Sequence, residues 1–326
     1  MAVNNQQSVI INHQSKIPFI VGPTAVGKTN TAIELAKMLN GEIISVDSRQ
    51  VYRGMDVGTA KPSLRHQKEI PHHLIDILKP DEVISAGKFR KIAIETVNSI
   101  LSRGKLPIFV GGSGLYISTV LKGIFEESQT DDRIRKKIKE ELKEKGVVAL
   151  YNRLVDIDPE SAVKIHINDI KRITRALEIY EITGKTPSEH YKSQKTNPPF
   201  PYRIFVLNME RENLYKQIDS RVDKMIEDGL VEEVKQLLDA GYRRDLDALL
   251  TLGYRDVIVY LDGQCSKEEM IENIKQNTRK YAKRQLTWFR NQLEAMWIDV
   301  TPGEPPGEIA KRIIKEIDGL SGIKTV

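Results

Sequence analysis

Short apolar runs alternate with longer amphipathic stretches over the first 120 residues. Ile17–Val21 is apolar throughout and ends at Gly22, and residues 29–39 then place Ala32, Leu35, Ala36 and Leu39 at helical spacing before Gly41. The pattern predicts strand, loop and helix. Residues 43–46 form a second β-branched run ending at Asp47, and residues 107–110 a third ending at Gly111 and Gly112. Strands separated by connections this long are expected in a parallel sheet, because tight hairpins join only antiparallel neighbours.

The texture changes near residue 130. Residues 131–145 are densely charged, with Ile134, Ile138 and Leu142 four apart, which predicts a helix with one apolar stripe and a solvated remainder. Helical patterns follow over 148–155 and 169–182, until Pro187, Pro198, Pro199 and Pro201 interrupt them. Residues 202–207 read as a buried strand that returns the chain to the sheet. Beyond it the pattern predicts long helices over 214–238 and 267–293 and a last strand over 296–300. The expected organisation is a loose tail over 1–15, a core made of 16–123 and 200–326, and a helical insertion over 124–199.

Composition narrows the setting more than the task. Fifty Lys and Arg against 45 Asp and Glu give a formal charge of +5, a mild excess that names no partner. A single cysteine, Cys265, excludes a disulfide framework and a cysteine-rich zinc module, and a reducing cytoplasmic setting is expected. The Asn- and Gln-rich start has no basic and apolar signal pattern, and the apolar stretch 106–125 is cut by Gly111, Gly112 and Gly114, so no membrane segment is expected. The pair His72 and His73 has no third ligand nearby, so no metal is expected there.

The chemistry begins directly after the first strand. Gly22, Pro23, Thr24, Ala25, Val26, Gly27, Lys28 and Thr29 match the phosphate-loop pattern G-x-x-x-x-G-K-S/T of nucleotide-binding and ATP-binding proteins, in the strand-to-helix context it requires. Backbone N–H groups in such a loop curl around phosphate oxygens, Lys28 adds a point charge, and the Thr29 hydroxyl is a ligand for Mg²⁺. The implied fold is α/β: a P-loop NTPase-like parallel sheet core with helices on both faces, plus the helical insertion domain.

What happens to the phosphate is decided at the neighbouring strand ends. The strand over 107–110 runs into Gly111-Gly112-Ser113-Gly114 and supplies no Walker-B aspartate. The acidic residue is Asp47, in Asp47-Ser48-Arg49-Gln50. A carboxylate at this edge of a parallel sheet is placed to accept a proton from an attacking nucleophile; Asp47 or Ser48 could equally cap a following helix. The residue types alone leave both readings open.

GPTAVGKT, ISVDSRQVYRGMDVGTAKP, PHHLIDI, FVGGSGLY and NDIKRITRALEIYEITGKTPSE, in that order, resemble the bacterial tRNA dimethylallyltransferases over nearly the whole chain. The resemblance implies transfer of a dimethylallyl group from its diphosphate to N6 of the adenosine just 3′ of the anticodon, with release of diphosphate. The cradle would then hold a leaving group and its Mg²⁺, with Lys28 and Thr29 stabilising it and Asp47 taking the proton from the amine. Ser113 stands where the family usually has threonine, and Arg221 matches an arginine that reaches the diphosphate. The resemblance also implies tRNA contacts at Asp47, Ser48, Arg49, Gln50, Ser113 and Arg135, and at Lys171, Arg172, Ile173, Thr174 and Arg175. Its implied partners are a tRNA anticodon stem-loop and dimethylallyl diphosphate, with the protein a monomer and no membrane involved.

The run 279–290 has five basic and no acidic residues, interleaved with Tyr281, Trp288 and Phe289, and reads either as an RNA face or as a core helix with a basic edge. Competing functions are a small-molecule kinase on the same cradle, a prenyltransferase acting on free adenine nucleotide, and a non-catalytic RNA-binding protein using the loop as a switch.

Overall fold

The computed structural model describes residues 16–123, 131–193 and 198–317; the tail expected over 1–15 lies outside the described residues. The chain divides into two units, Met1–Ser118 with Pro199–Val326, and Thr119–Pro198. The division falls at 119 and 198, and the sequence pattern placed the insertion over 124–199.

Among the described residues the core is a sheet of six strands, β1 (Ile17–Val21), β2 (Gly41–Val46), β3 (His72–His73), β4 (Leu106–Gly111), β5 (Tyr202–Asn208) and β6 (Met296–Asp299), in the order β3-β2-β4-β1-β5-β6. Every pairing is parallel. The chain spends β1 to β4 on one side of β1 and then crosses to β5 and β6 on the other. Ligands of open parallel sheets bind at such a reversal, beyond the carboxyl ends of the strands. His72 and His73 form an edge strand, and the His73 Nε2 contacts buried Glu42 Oε2 at 2.7 Å.

Alternate residues of the strands feed two layers of packing, which is the period-two rule applied to a sheet covered on both faces. Ile20, Ile108, Phe205 and Leu207 share one cluster with α1 (Lys28–Leu39) and, further along the chain, with residues 214, 218, 282, 309, 310 and 313. Phe19 points the other way and stacks on Phe109 at 4.3 Å, with Phe200 5.9 Å from Phe109. The connection between β2 and β4 carries α2 (Leu64–Glu69) and α3 (Ala86–Ser102), capped by Ser63 and Ser85. α4 (Gly114–Lys122) follows β4, and its Tyr116 stacks on Phe89 of α3 at 3.7 Å.

The helical unit contains α5 (Asp132–Ile157), α6 (Pro159–Lys164), α7 (Ile170–Thr183) and α8 (Pro187–Ser193). The predicted stripe of Ile134, Ile138 and Leu142 packs against Leu150, Leu154, Ile173 and Leu177. The helical stretches predicted over 131–145 and 148–155 both lie within α5, parted by a kink at Gly146, whose φ of 77° and ψ of 172° are not helical.

The rest of the core is α9 (Arg211–Glu227), α10 (Leu230–Asp239), α11 (Tyr254–Leu261), α12 (Lys267–Gln292) and α13 (Pro306–Glu316). The single helix expected over 214–238 is two. Gly229, at φ 95°, adopts a left-handed conformation no helix interior accommodates, and it turns the chain between α9 and α10. α12 begins with a reciprocal capping box of Ser266 and Glu269 and matches its predicted span closely.

The Phe19–Phe109 stack at the centre of the sheet yields the first prediction. Phe109→Ala removes a fully buried ring and is expected to destabilise the core by about 3–5 kcal/mol, read as a lower urea midpoint; a loss below about 1 kcal/mol would show that this layer does not hold the sheet.

Candidate active site

Three strand ends meet at a cavity of about 500 Å³ whose lining comes entirely from the core unit. The phosphate loop follows β1, the turn of Asp47, Ser48, Arg49 and Gln50 follows β2, and Gly111 and Gly112 close β4. β4 lies between the other two, so the Asp47 turn sits two strand spacings, about 10 Å, from the strand that carries the cradle.

The cradle is shaped by backbone conformation. Ala25 (φ 67°) and Gly27 (φ 94°) turn the loop into α1. Gly22, Pro23 and Val26 are buried beneath it, while Thr24, Lys28 and Thr29 line the cavity. The Lys28 Nζ donates to the Pro23 carbonyl at 2.6 Å, so the ammonium folds back over the loop.

Gln285 of α12, which carries no motif signal, joins two of the walls. Its Oε1 accepts from the Thr24 N–H at 2.9 Å, and its Nε2 donates to the Gly112 carbonyl at 3.0 Å. Only a primary amide offers an acceptor and a donor side by side in this way. Gly112 is required by the same contact, since a Cβ there would lie 2.3 Å from the Gln285 Nε2. The signal in the sequence is a polar residue at a buried position, between Ala282 and Phe289 on the inner face of α12.

Asp47 caps a turn and lines the cavity. Its Oδ1 accepts from Arg49 N at 2.8 Å and Gln50 N at 3.4 Å, with no helix following. Ser113 lies one residue beyond the lining. Its Oγ accepts from Ser48 N at 2.9 Å and donates to Ser48 Oγ at 3.2 Å, so it ties the β4 end to the Asp47 turn. The Arg49 guanidinium donates to the Asp247 carbonyl at 2.9 Å.

The electrostatics of the cavity are lopsided. Lys28, Arg49, Arg221, Arg255 and Arg284 line it, and Asp47 is the sole acidic residue among the lining. Burial and then the Arg221 charge push the Lys28 ammonium down to about 7, against the attraction of Asp47. Burial likewise lowers Arg221, opposed by Asp47. Burial and the Asp47 charge push the Tyr281 hydroxyl up to about 12. Such a site favours a ligand with several negative charges.

Beside these cations runs an apolar wall. Ile218, Val222 and Met225 face the cavity from α9 on the same side as Arg221, joined by Leu250, Leu252 and Ile274. Thr29 supplies a hydroxyl oxygen to the cavity, and among the described residues no group of three His, Cys, Asp or Glu is arranged to hold a metal. A single hydroxyl beside a phosphate cradle is the kind of oxygen donor that Mg²⁺ takes together with water and phosphate.

The helical unit holds the remaining predicted contacts. Arg135 Nε and Arg175 Nη1 lie 2.9 and 2.8 Å from the two oxygens of Glu178, itself buried. Lys171 and Arg172 are exposed, Arg172 lies 3.5 Å from Asp169, and Thr174 Oγ1 donates to the Ile170 carbonyl at 2.8 Å. Ile173 corrects the expectation for its stretch: its side chain is fully buried in the unit's core, so it packs instead of meeting a ligand.

The basic run 279–290 divides in the same manner. Arg279 is committed to Asp219 at 2.7 Å, Arg290 lies over the Trp297 ring, and Ala282, Gln285 and Phe289 face inward. Tyr281 and Arg284 join the cavity, with the Arg284 guanidinium 5.7 Å from the Tyr281 ring centre.

The sequence profile of the family described as IPP transferase matches residues 50–292. The chain is 48% identical over 303 residues to a tRNA dimethylallyltransferase of Thermotoga petrophila, covering 93% of this chain and 98% of that one. It is 46% identical to one of Bacillus velezensis, covering 94% and 98%. Among solved structures, a full-length tRNA isopentenylpyrophosphate transferase from Bacillus halodurans superposes with a TM-score of 0.68 at 42% identity, covering 94% of this chain and 98% of that one. A eukaryotic dimethylallyltransferase acting on tRNA superposes with a TM-score of 0.81 at 31% identity, covering 95% and 81%.

The lowered Lys28 value yields a prediction with a definite sign. At about pH 8 Lys28 is mostly neutral in the empty cavity, and a bound polyanion restores its charge, so binding takes up close to one proton. At about pH 6 Lys28 is already charged and this uptake vanishes. Calorimetry of inorganic diphosphate binding in buffers of different ionisation enthalpy measures the difference, and Lys28→Met is expected to abolish it; uptake independent of pH or of this substitution would contradict the assignment.

Proposed function

The chain belongs to the IPP transferase family, and we propose that it transfers a dimethylallyl group from dimethylallyl diphosphate to N6 of the adenosine immediately 3′ of the anticodon in tRNA. The observation that carries this reading is a single cavity in which a phosphate cradle with five cations adjoins an apolar wall and one carboxylate. An allylic diphosphate has that same division between an anionic head and an apolar tail. A nucleotide kinase site would have no use for the wall of Ile218, Val222 and Met225 beside the phosphates.

In this reading the diphosphate lies against the loop amides, Lys28 and Arg221, and the five-carbon tail lies along the apolar wall. The bond between the allylic carbon and the diphosphate oxygen breaks, and negative charge builds on the departing oxygens. Preorganised donors in a site withdrawn from water stabilise that charge more than water does. Thr29 would hold a Mg²⁺ ion together with the diphosphate, and the ion would add charge neutralisation for the leaving group. The adenine amine forms the new carbon–nitrogen bond and gives its proton to the Asp47 carboxylate. An exocyclic amine is a weak nucleophile, and a positioned base contributes about 10²–10⁴-fold.

The target adenosine has to leave the loop stack to reach this depth, as bases do for enzymes that modify them. Ser48, Arg49 and Gln50 meet it at the cavity, and Lys171, Arg172, Thr174, Arg175 and Arg135 contact the RNA from the helical unit. The lone cysteine is compatible with work in the cytoplasm. No helix among the described residues is long and apolar enough to cross a membrane.

Two comparisons test the reading. Asp47→Asn is expected to bind dimethylallyl diphosphate as the unaltered protein does while slowing transfer by about 10²-fold or more; transfer at the normal rate would remove Asp47 as the base. An anticodon stem-loop is expected to serve as acceptor and AMP to fail, and the opposite preference would assign the protein to free nucleotide.

A further inference from the structure

Glu233 of α10 lines no part of the cavity and has no role in the chemistry above, yet its carboxylate is fully occupied. Oε2 accepts from the backbone N–H groups of Asp56 at 2.8 Å and Val57 at 2.7 Å. Oε1 accepts from Gly58 N at 3.1 Å and from the Tyr254 hydroxyl at 2.5 Å. Three successive amides turned toward one point make the kind of concavity that proteins use to bind an external anion. Here the protein fills it with its own side chain.

The groups held by Glu233 belong to two stretches that border the active site. Gly58 itself, with Thr59 and Ala60, lines the cavity, and Leu250, Thr251, Leu252 and Gly253 line it directly before Tyr254. The ring of Tyr254 is fully buried against Gly58, so its hydroxyl arrives at the carboxylate without freedom to move. One side chain thus sets the spacing between two lips of the cavity.

The turn also reaches the Asp47 end of the site. Gln50 Nε2 donates to the carbonyls of Thr59 at 3.3 Å and Ala60 at 3.4 Å, and Gln50 Oε1 accepts from Ser45 Oγ at 3.1 Å. Gln50 in turn follows Asp47, whose Oδ1 accepts its backbone N–H. Displacing the 56–58 turn moves the carbonyls that orient the Gln50 amide, while the Lys28 cradle is held separately through Gln285.

We propose that Glu233 is a positioning residue for the acceptor adenosine, acting through the 56–60 turn on Gln50 and the Asp47 turn and leaving the diphosphate cradle unaffected. The inference rests on the acceptor reading given under the proposed function. A residue that merely supported the fold would weaken both substrates together; Glu233 is specific to one.

Glu233→Gln presents an NH₂ group to a cluster of donors and so releases part of the turn without changing side-chain size. It is expected to lower kcat/KM for an anticodon stem-loop by about tenfold or more, to leave the dissociation constant for dimethylallyl diphosphate within about twofold, and to speed amide exchange at Asp56, Val57 and Gly58. Tyr254→Phe removes one of the four donors and is expected to give the same signature at smaller size, which keeps the test available if the first variant does not fold. Because the effect passes through Gln50, Glu233→Gln combined with Gln50→Ala is expected to be no worse than Gln50→Ala alone. Unchanged stem-loop kinetics, equal loss of diphosphate-substrate binding, or fully additive losses would each overturn the inference. Failure of the unaltered protein to modify the stem-loop would overturn the acceptor reading itself, and the inference with it.

Discussion

Lys28 and Arg221 repel each other inside a cavity where both are half-buried, with Asp47 as the one acidic group among the lining. That imbalance is tolerable because the cations sit where a parallel sheet ends its strands and where the loop amides and the first turn of α1 also present positive ends. The arrangement costs stability in the empty protein and is relieved by a polyanion. The same electrostatics give a reason for the carboxylate: once a diphosphate satisfies Lys28 and Arg221, Asp47 remains beside them as the acceptor for a proton.

Holding such a site open requires ties between elements distant in sequence. Gln285 joins the phosphate loop to the β4 end, Ser113 joins the β4 end to the Asp47 turn, and Glu233 joins the 56–58 turn to Tyr254. Apart from the Tyr254 hydroxyl on Glu233, each tie is a side chain bonding to backbone. This suits loops, whose amides and carbonyls otherwise depend on water for partners. The reacting groups are thereby mounted on sheet, helix and pinned turn, which restricts the freedom that a weak nucleophile can least afford.

Local signals made the strands and the cradle legible in the sequence. Ile17–Val21, residues 43–46 and residues 107–110 all lie in the sheet, and Gly22 to Gly27 form the loop between β1 and α1, whose first turn carries Lys28 and Thr29. The break at Gly229 was less visible because Leu214 to Leu238 keeps an apolar period on both sides of it. The ties were not legible at all. Gln285 is 261 residues from Thr24 and Glu233 is 176 from Val57, and no spacing rule connects side chains across such distances. The apolar wall of α9 was hidden for another reason: Ile218 and Val222 satisfy the period of an ordinary core face, and Ile218 packs in the core cluster while it also lines the cavity. Ile173 illustrates the converse, a residue in a basic stretch whose period belongs to the core.

The central claim is that the cradle holds a leaving group while a flipped adenosine attacks the carbon it leaves. Mass analysis of an anticodon stem-loop incubated with the protein, dimethylallyl diphosphate and Mg²⁺ tests it most directly. The account predicts an RNA heavier by one dimethylallyl group in place of a proton, located on the adenosine 3′ of the anticodon, with one diphosphate released for each RNA modified. An unmodified RNA under these conditions, with ATP-dependent phosphorylation of a small molecule in its place, would contradict it.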